Sequence, residues 1–401
     1  MNILFLTLLS FESLEEKTIY TDLLREFVNN GHIVYAISPV EKRHHESTHL
    51  IREKNAKILR LQIGNTQKTN IIEKGISTVL IEPAYIKAIK RYFSDVRFDL
   101  VLYSTPPITL SGVVEYVKKR DKSKTYLLLK DIFPQNAVDI GMLKTTGVKG
   151  ILYKKFRNQE KKLYKISDRI GCMSRANVDY LLAHNPEVKS TAVEICPNVV
   201  EVVDNSVDAN TRLELRKKYG IPVDKKVFVY GGNLGKPQGI RFLIECLKKC
   251  EDIEDVFFLI VGDGTEFVLL SDYIKNDNPK NVKLLRRLPK DDYDTMIGAC
   301  DVGLIFLDHR FTIPNFPSRL LTYMQAKLPV FACTDPNTDI GDVINEGQFG
   351  WWIESKNAGV FKKQVKEILH SDMHRLGNNG YEYLNKHYSV RTAYDIIMNC
   401  M

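Results

Sequence analysis

TIPNFPSRLLTYMQAKLP, residues Thr312 to Pro329, reads as a loop, one helix and a turn into a strand. Pro314 and Pro317 each fix φ and lack an N–H, which keeps the approach extended. Ser318 then caps a helix running to about Lys327, with Leu320, Leu321 and Met324 on its apolar side. Leu328-Pro329 ends it, and Val330-Phe331-Ala332 begins a buried strand. A helix opening from a loop at a sheet edge offers free N–H groups and the positive end of its dipole. Arg319 adds a planar fork suited to phosphate oxygens. An ordinary βα unit would look the same, so a functional reading needs a second loop that can face this one.

That second loop lies upstream. Lys226–Tyr230 is a strand running into Gly231-Gly232-Asn233-Leu234-Gly235-Lys236-Pro237-Gln238-Gly239, followed by a helix to about Lys249. Val256–Val261 ends in Gly262-Asp263-Gly264, and Val282–Leu285 leads into Arg286-Arg287-Leu288-Pro289. A helix to Cys300, the strand Val302–Leu307, the segment Gly347–Glu354 and a helical tail complete this half.

The first half alternates in the same way. Strands at Asn2–Leu8, Ile33–Ser38, Ala56–Gln62, Leu100–Tyr103, Thr125–Leu129, Arg169–Cys172 and Ala192–Ile195 are separated by helices such as Thr18–Asn29 and Ile76–Phe93. Continuous apolar strands separated by helices predict parallel, doubly wound sheets. Ligands of such sheets lie beyond the carboxyl ends of the strands. The loops Leu9–Glu16, Ser104–Pro107 and Lys130–Gln135 therefore share one edge. The polar passage from Pro197 to Asn210 reads as a linker. The expected fold class is α/β, two doubly wound Rossmann-like domains facing across a cleft. The first spans 1–200 and the second 201–380, with a helical tail at 381–401 free to pack back on the N-terminal domain.

Composition agrees with a soluble globular protein. The chain has 401 residues, 44% hydrophobic and 26% charged, enough for two cores. A net charge of +8 suits anionic ligands or a membrane face. It is too diffuse for nucleic acid, and no RNP, finger or basic-zipper signature is present. Seven scattered cysteines without a CxxC pair read as reduced, buried thiols. The Ile3–Leu9 run is too short for a span and lacks a basic flank, so the expectation is a cytoplasmic chain.

Glycines 231, 232, 235 and 239 let the backbone approach a ligand closely between a strand and a helix start. With Arg319 and Lys236 they could hold a diphosphate without metal. No Walker lysine motif and no dense acidic cluster for Mg²⁺ is present, so neither a metal nor another cofactor is expected.

Taken together, FLTLLSFESLEEKTIYTDLLREFVNNGHIVYAISP, STPP, LLLKDIFPQNAVDIG, GGNLGKPQG, VGDGTE and PSRLLTYMQAKLPV resemble the retaining glycosyltransferases of family 4, which have the GT-B fold. Within them the chain is similar to the bacterial capsule and O-antigen branch that includes N-acetyl-L-fucosamine transferases. The resemblance covers nearly the whole chain and is specific for fold and family, not for the sugar. It implies a nucleotide-sugar donor, with UDP the expected nucleotide, on the C-terminal domain. It implies a lipid-linked saccharide acceptor on the N-terminal domain, and a protein peripheral on the inner face of the plasma membrane.

By this resemblance Gly232, Asn233, Gly235, Lys236 and Gln238 face the diphosphate, with Asp263 and Arg287 in the neighbouring turns and Arg286–Pro289 near the base. Ser318, Arg319 and Leu320 cradle phosphate, and Thr322 faces the ribose. Asp131 matches the residue beside the reacting carbon, where a carboxylate could steady oxocarbenium-like charge or orient the acceptor hydroxyl. Its structural alternative is a helix cap after a strand. The leaving phosphate takes the acceptor proton, so no second acid is needed. The chain departs from the family at Asn233 and Gln238, where Arg and Lys are common. The usual glutamate pair is also absent, with Thr322 where the second would stand.

Glu16, Ser104 and Thr105 lie at the ligand edge of the first half and are the acceptor-binding candidates; Glu15 and Glu16 could instead be capping carboxylates near Thr18. The basic helix Lys149–Lys165, with Ile151, Leu152, Phe156, Leu163 and Tyr164 interleaved, could rest on anionic lipid or be a solvated face on a core helix. His370 and His374, spaced i, i+4, have no third ligand nearby and read as exposed, as do His44, His45 and His49 in a charged loop. Trp351-Trp352 reads as core. Two other functions stay open: a nucleotide-sugar epimerase of the same fold, and a catalytically silent binding subunit, which the absent glutamates would suit.

Overall fold

The computed structural model describes residues 1–66 and 71–401. Contacts divide the chain into a first unit, residues 1–201 with 390–401, and a second, residues 202–389.

In the first unit the strands are β1 (Asn2–Leu6), β2 (Ile33–Glu41), β3 (His49–Arg52), β4 (Ala56–Ile63), β5 (Leu100–Thr105), β6 (Lys124–Leu129), β7 (Arg169–Cys172) and β8 (Val193–Ile195). They form one sheet in the order β3-β4-β2-β1-β5-β6-β7-β8. Every pair is parallel except β3 with β4. The helices are α1 (Ile19–Asn29), α2 (Ile71–Tyr92), α3 (Ser111–Asp121), α4 (Gln135–Asp139), α5 (Gly147–Ile166) and α6 (Arg175–His184). Burial on both faces is why Ile3, Phe5, Leu100, Leu102 and Leu128 read as unbroken apolar runs. The β3 strand is a correction. The sequence places His49 in a charged loop, but His49–Arg52 pairs antiparallel with Lys57–Arg60 as a half-exposed edge strand that lacks an apolar run.

Thr18 caps α1 and forms a reciprocal box with Thr21. Behind α1 lies the end of the chain. The boundary expected at 380 falls inside a helix of the second unit, α14 (Met373–His387), and the return to the first unit starts at Val390. There the Val390 amide donates to the Val200 carbonyl at 3.1 Å, and α15 (Val390–Met398) packs on α1. Tyr394 meets the Phe27 ring at 5.1 Å and the His32 imidazole at 3.0 Å.

The second unit adds β9 (Lys226–Asn233), β10 (Val256–Asp263), β11 (Val282–Leu285), β12 (Val302–Phe306), β13 (Val330–Thr334) and β14 (Gly350–Glu354). Its order, β11-β10-β9-β12-β13-β14, is all parallel. Its helices are α7 (Ala209–Tyr219), α8 (Ile240–Lys249), α9 (Phe267–Asp277), α10 (Lys290–Ile297), α11 (Arg319–Gln325), α12 (Ile340–Gly347), α13 (Ala358–Ile368) and α14. Counted within the unit, the strand order is 3-2-1-4-5-6, which reverses direction between β9 and β12 and opens a crevice at their carboxyl ends. Phe361 of α13 lies flat on Phe331 at 5.0 Å and anchors the core. On the other side, α7 is pinned by the Arg216–Asp301 ion pair at 2.8 Å, whose carboxylate also accepts from the Val227 amide at 2.8 Å.

Trp351 packs against the second core, and Trp352 donates from its indole to the Thr334 hydroxyl at 2.8 Å. All seven cysteines are free, six of them buried.

Candidate active site

The crevice of the second unit is built on glycine. Gly232, with φ of +129°, turns the end of β9 in a conformation that side chains rarely adopt. A Cβ on Gly262 of β10 would lie 2.0 Å from the Gly232 carbonyl oxygen, so the two strand ends touch as bare backbone. After Leu234, which is fully buried, a single turn over Lys236–Gln238 delivers the chain through Gly239 into α8. Asn233 donates to the Gln238 side-chain carbonyl at 2.9 Å, and the Gly235 amide reaches the same oxygen at 3.3 Å. Where a pair of cations was the common arrangement, this loop braces itself with two amides. Lys236 stands exposed beside it. The Asp308 amide, just past β12, donates to the Pro237 carbonyl at 2.9 Å and ties the far wall to the glycine turn.

Arg319 forms the floor. Its guanidinium donates to the Gly231 carbonyl, lies 4.5 Å over the Tyr230 ring centroid, and would stand 2.9 Å from a Cβ on Gly232. One turn on, Tyr323 of α11 reaches the Gly231 amide. Burial pushes the pKa of that phenol up to about 12, so it keeps its proton.

Several expected roles at α11 change. Ser318 makes no capping bond, because its backbone (φ −64°, ψ −18°) is already helical and its hydroxyl cannot turn back on the first amides. The Leu320 and Leu321 amides close a tight turn onto the Pro317 and Ser318 carbonyls at 3.2 and 3.1 Å. The Leu320 side chain is fully buried, so neither it nor its amide is open to a ligand. The helix ends at Gln325, two residues before Lys327, which takes φ of +53° while Leu328 donates back to the Tyr323 carbonyl. Thr322 is half-buried on the same helix.

At β10, Asp263 accepts from Arg286 at 3.0 Å and from the Gly264 amide at 2.9 Å. Arg286, stacked 3.6 Å over the Phe267 ring, is the arginine that meets Asp263; Arg287 is exposed.

The first unit gathers polar groups at the carboxyl edge of its own sheet. Asp131 follows β6, part-buried, with both oxygens 2.8 Å from the Asn136 amide nitrogen. Burial raises its pKa to about 6, against the pull of Asn136 and the Ile132 amide. The Thr105 hydroxyl accepts from the Lys130 amide and donates to the Asp131 carbonyl, both at 3.1 Å. Thr105 thus holds the catalytic candidate in place and has no free hydroxyl for an acceptor. Ser104 is buried, and burial, with a smaller push from the Asp131 charge, raises the pKa of the Tyr20 phenol. Glu16 turns its carboxylate onto the Glu12 amide at 2.6 Å and so closes its own loop.

Two residues of this edge were not singled out from sequence. Lys130 reaches the Cys196 and Pro197 carbonyls at 3.2 and 3.1 Å, and burial lowers its pKa. Arg60, 3% exposed, binds Ser10, Ser38, the Phe11 carbonyl and Glu46, and so fixes the loop after β1. A lone arginine inside the apolar strand LRLQI was its visible signal. Among the described residues no three His, Cys, Asp or Glu side chains converge as metal ligands. His370 and His374 are both exposed.

Residues 211–383 match the family model described as Glycosyl transferases group 1. The probable glycosyltransferase WbjE of Pseudomonas aeruginosa is 24% identical over 340 residues, 84% of this chain and 82% of that protein. Sucrose-phosphate synthase from Thermosynechococcus elongatus superposes with a TM-score of 0.78 at 14% identity, covering 99% of this chain and 98% of that one. HepE of Anabaena in complex with UDP-glucose gives 0.70 at 14% identity, over 100% and 98%. The chain has the GT-B fold, its second unit carries the group 1 match, and the protein is a glycosyltransferase.

Proposed function

We propose that this glycosyltransferase binds a sugar nucleotide on its second unit, at the β9/β12 crevice, and a lipid-linked saccharide on its first, beside Asp131. The observation that carries the reading is Arg319, held under the Gly231–Gly232 turn at the one place where that sheet reverses its winding. Diphosphate oxygens there meet a guanidinium, the backbone of the glycine turn and the α8 N-terminus. Asn233, Lys236, Gln238, Ser318 and Thr322 line the same turn, with Asp263 and Arg287 toward the base. HepE was solved with UDP-glucose, which supports UDP as the nucleotide.

The reaction proceeds with retention and without metal. The bond from the anomeric carbon to the diphosphate breaks, the acceptor oxygen takes its place on the same face, and the acceptor proton passes to the leaving phosphate. Asp131, ionised above about pH 6, orients the acceptor hydroxyl. The branch resemblance favours N-acetyl-L-fucosamine and a capsule or O-antigen role at the inner face of the plasma membrane.

The test is transfer. Purified protein, UDP-N-acetyl-L-fucosamine or other UDP-sugars, and extracted lipid-linked saccharides should yield an extended saccharide and free UDP. Intact donor with every acceptor would contradict the reading, and an epimerised sugar formed without acceptor would favour an epimerase.

A further inference from the structure

The outward face of α5 and the turn before it carry an exposed apolar cluster within basic surroundings. Val148 is 85% exposed, Ile151 71%, Leu152 43% and, in the preceding turn, Met142 59%. Positions 148, 151, 152 and 155 share one side of a helix. Apolar side chains grouped this way on a soluble surface mark a contact site. Lys144, Lys149, Lys154 and Lys155 are all exposed around them. Among the described residues none of these four has an ion-pair partner, whereas further along Lys161 and Lys162 pair with Glu187 and Glu115. The unneutralised lysines therefore sit with the exposed apolar groups.

The opposite side of α5 faces the acceptor edge. Phe156 meets the Phe133 ring at 5.1 Å, and the Tyr153 hydroxyl reaches the Gln135 side chain at 3.3 Å. Both partners belong to the segment that carries Asp131.

We infer that the first two turns of α5, with Met142, form a docking surface for an anionic lipid bilayer. Val148, Ile151 and Leu152 enter the boundary between headgroups and acyl chains, and the lysines meet lipid phosphates. Charge complementarity selects lipid over a second copy of this chain, which would bring like charges together. The inference deepens the acceptor reading, because a lipid-linked substrate lying in that bilayer would be presented close to the Asp131 segment.

Sedimentation with phosphatidylcholine vesicles, with and without phosphatidylglycerol, tests it. The protein should sediment with phosphatidylglycerol vesicles, and high salt should release it. Each Lys→Gln change among the four should weaken partitioning roughly five-fold. Val148→Asp with Ile151→Asp should abolish sedimentation while leaving the melting temperature and any UDP response unchanged, since both side chains point into solvent. Equal sedimentation of that variant, or none by the native chain with either lipid, would overturn the inference. A concentration-dependent dimer lost in the same variant, without vesicle binding, would also overturn it and give the face to a second copy. Vesicle binding needs no donor, so failure of the sugar-nucleotide reading would show separately, as a missing UDP response.

Discussion

The Tyr323 hydroxyl lies 3.2 Å from the Gly231 amide, as its acceptor, and 3.1 Å from the carbonyls of Val229 and Leu304. The β9–β12 ladder stops at the Tyr230–Leu304 pair, so this one phenol occupies the point where the two strands part. It bonds backbone groups of both strands at the end of their ladder. Gly303 leaves room for the ring: a Cβ there would fall 2.3 Å from it.

Tyr323→Phe should therefore cost about 1–3 kcal/mol, the penalty for stranding buried backbone groups. Urea unfolding would measure it. The same change should loosen the glycine turn and weaken nucleotide binding, although no ligand atom need touch Tyr323.

Arg319→Lys should remove the planar fork and its stacking on Tyr230 while keeping the charge. Losing a charge-assisted contact of roughly 1.5–3 kcal/mol corresponds to ten-fold or more in Kd. Calorimetric titration with UDP should show that loss with the fold intact. An unchanged Kd would move the diphosphate away from Arg319.

Asp131 gives a pH signature. Its folded pKa of about 6 exceeds the ordinary 3.8, so between those values the native state holds a proton that the unfolded state has released. Stability contributed by this group is present below 3.8 and falls as pH rises to about 6. If the ionised form orients the acceptor, as proposed, activity should run the other way and rise through about pH 6. Asp131→Asn should raise the melting temperature at pH 7 and lower kcat roughly a hundred-fold or more. Asn136→Ala, which removes a donor to the carboxylate, should move the acid limb to higher pH.

Asp301→Ala should destabilise the second unit by about 3–5 kcal/mol, because Arg216 would be left buried without its carboxylate. Replacing both residues by apolar ones of similar volume should recover much of that loss. Thermal melts of the single and double variants would decide.

Much of the fold was legible because parallel strands covered on both faces must be apolar throughout, as at Leu100–Leu102 and Phe257–Val261. The glycine turn was legible because Gly232 and Gly262 leave no room for a Cβ. What sequence did not show depends on contacts far apart in the chain. Tyr323 looked like any helix residue, and its role exists only because Gly231, 92 positions earlier, lies opposite. Ser318 had the right chemistry for a cap and the wrong backbone. Thr105 ends β5 at the carboxyl edge of its sheet, yet its hydroxyl is spent on the chain at 130–131. The β3 strand escaped because its pairing is with β4, not within its own composition.

The central claim is that the β9/β12 crevice holds a nucleoside diphosphate, and a thermal shift with UDP, GDP, TDP and ADP tests it most directly. A ligand at 100 times its Kd should stabilise the native state by about 2.7 kcal/mol. The account predicts a clear rise with UDP that disappears in Arg319→Ala. No rise with any of the four would contradict it and turn attention to a silent subunit in which Thr322, standing without the usual glutamate, marks a lost donor site.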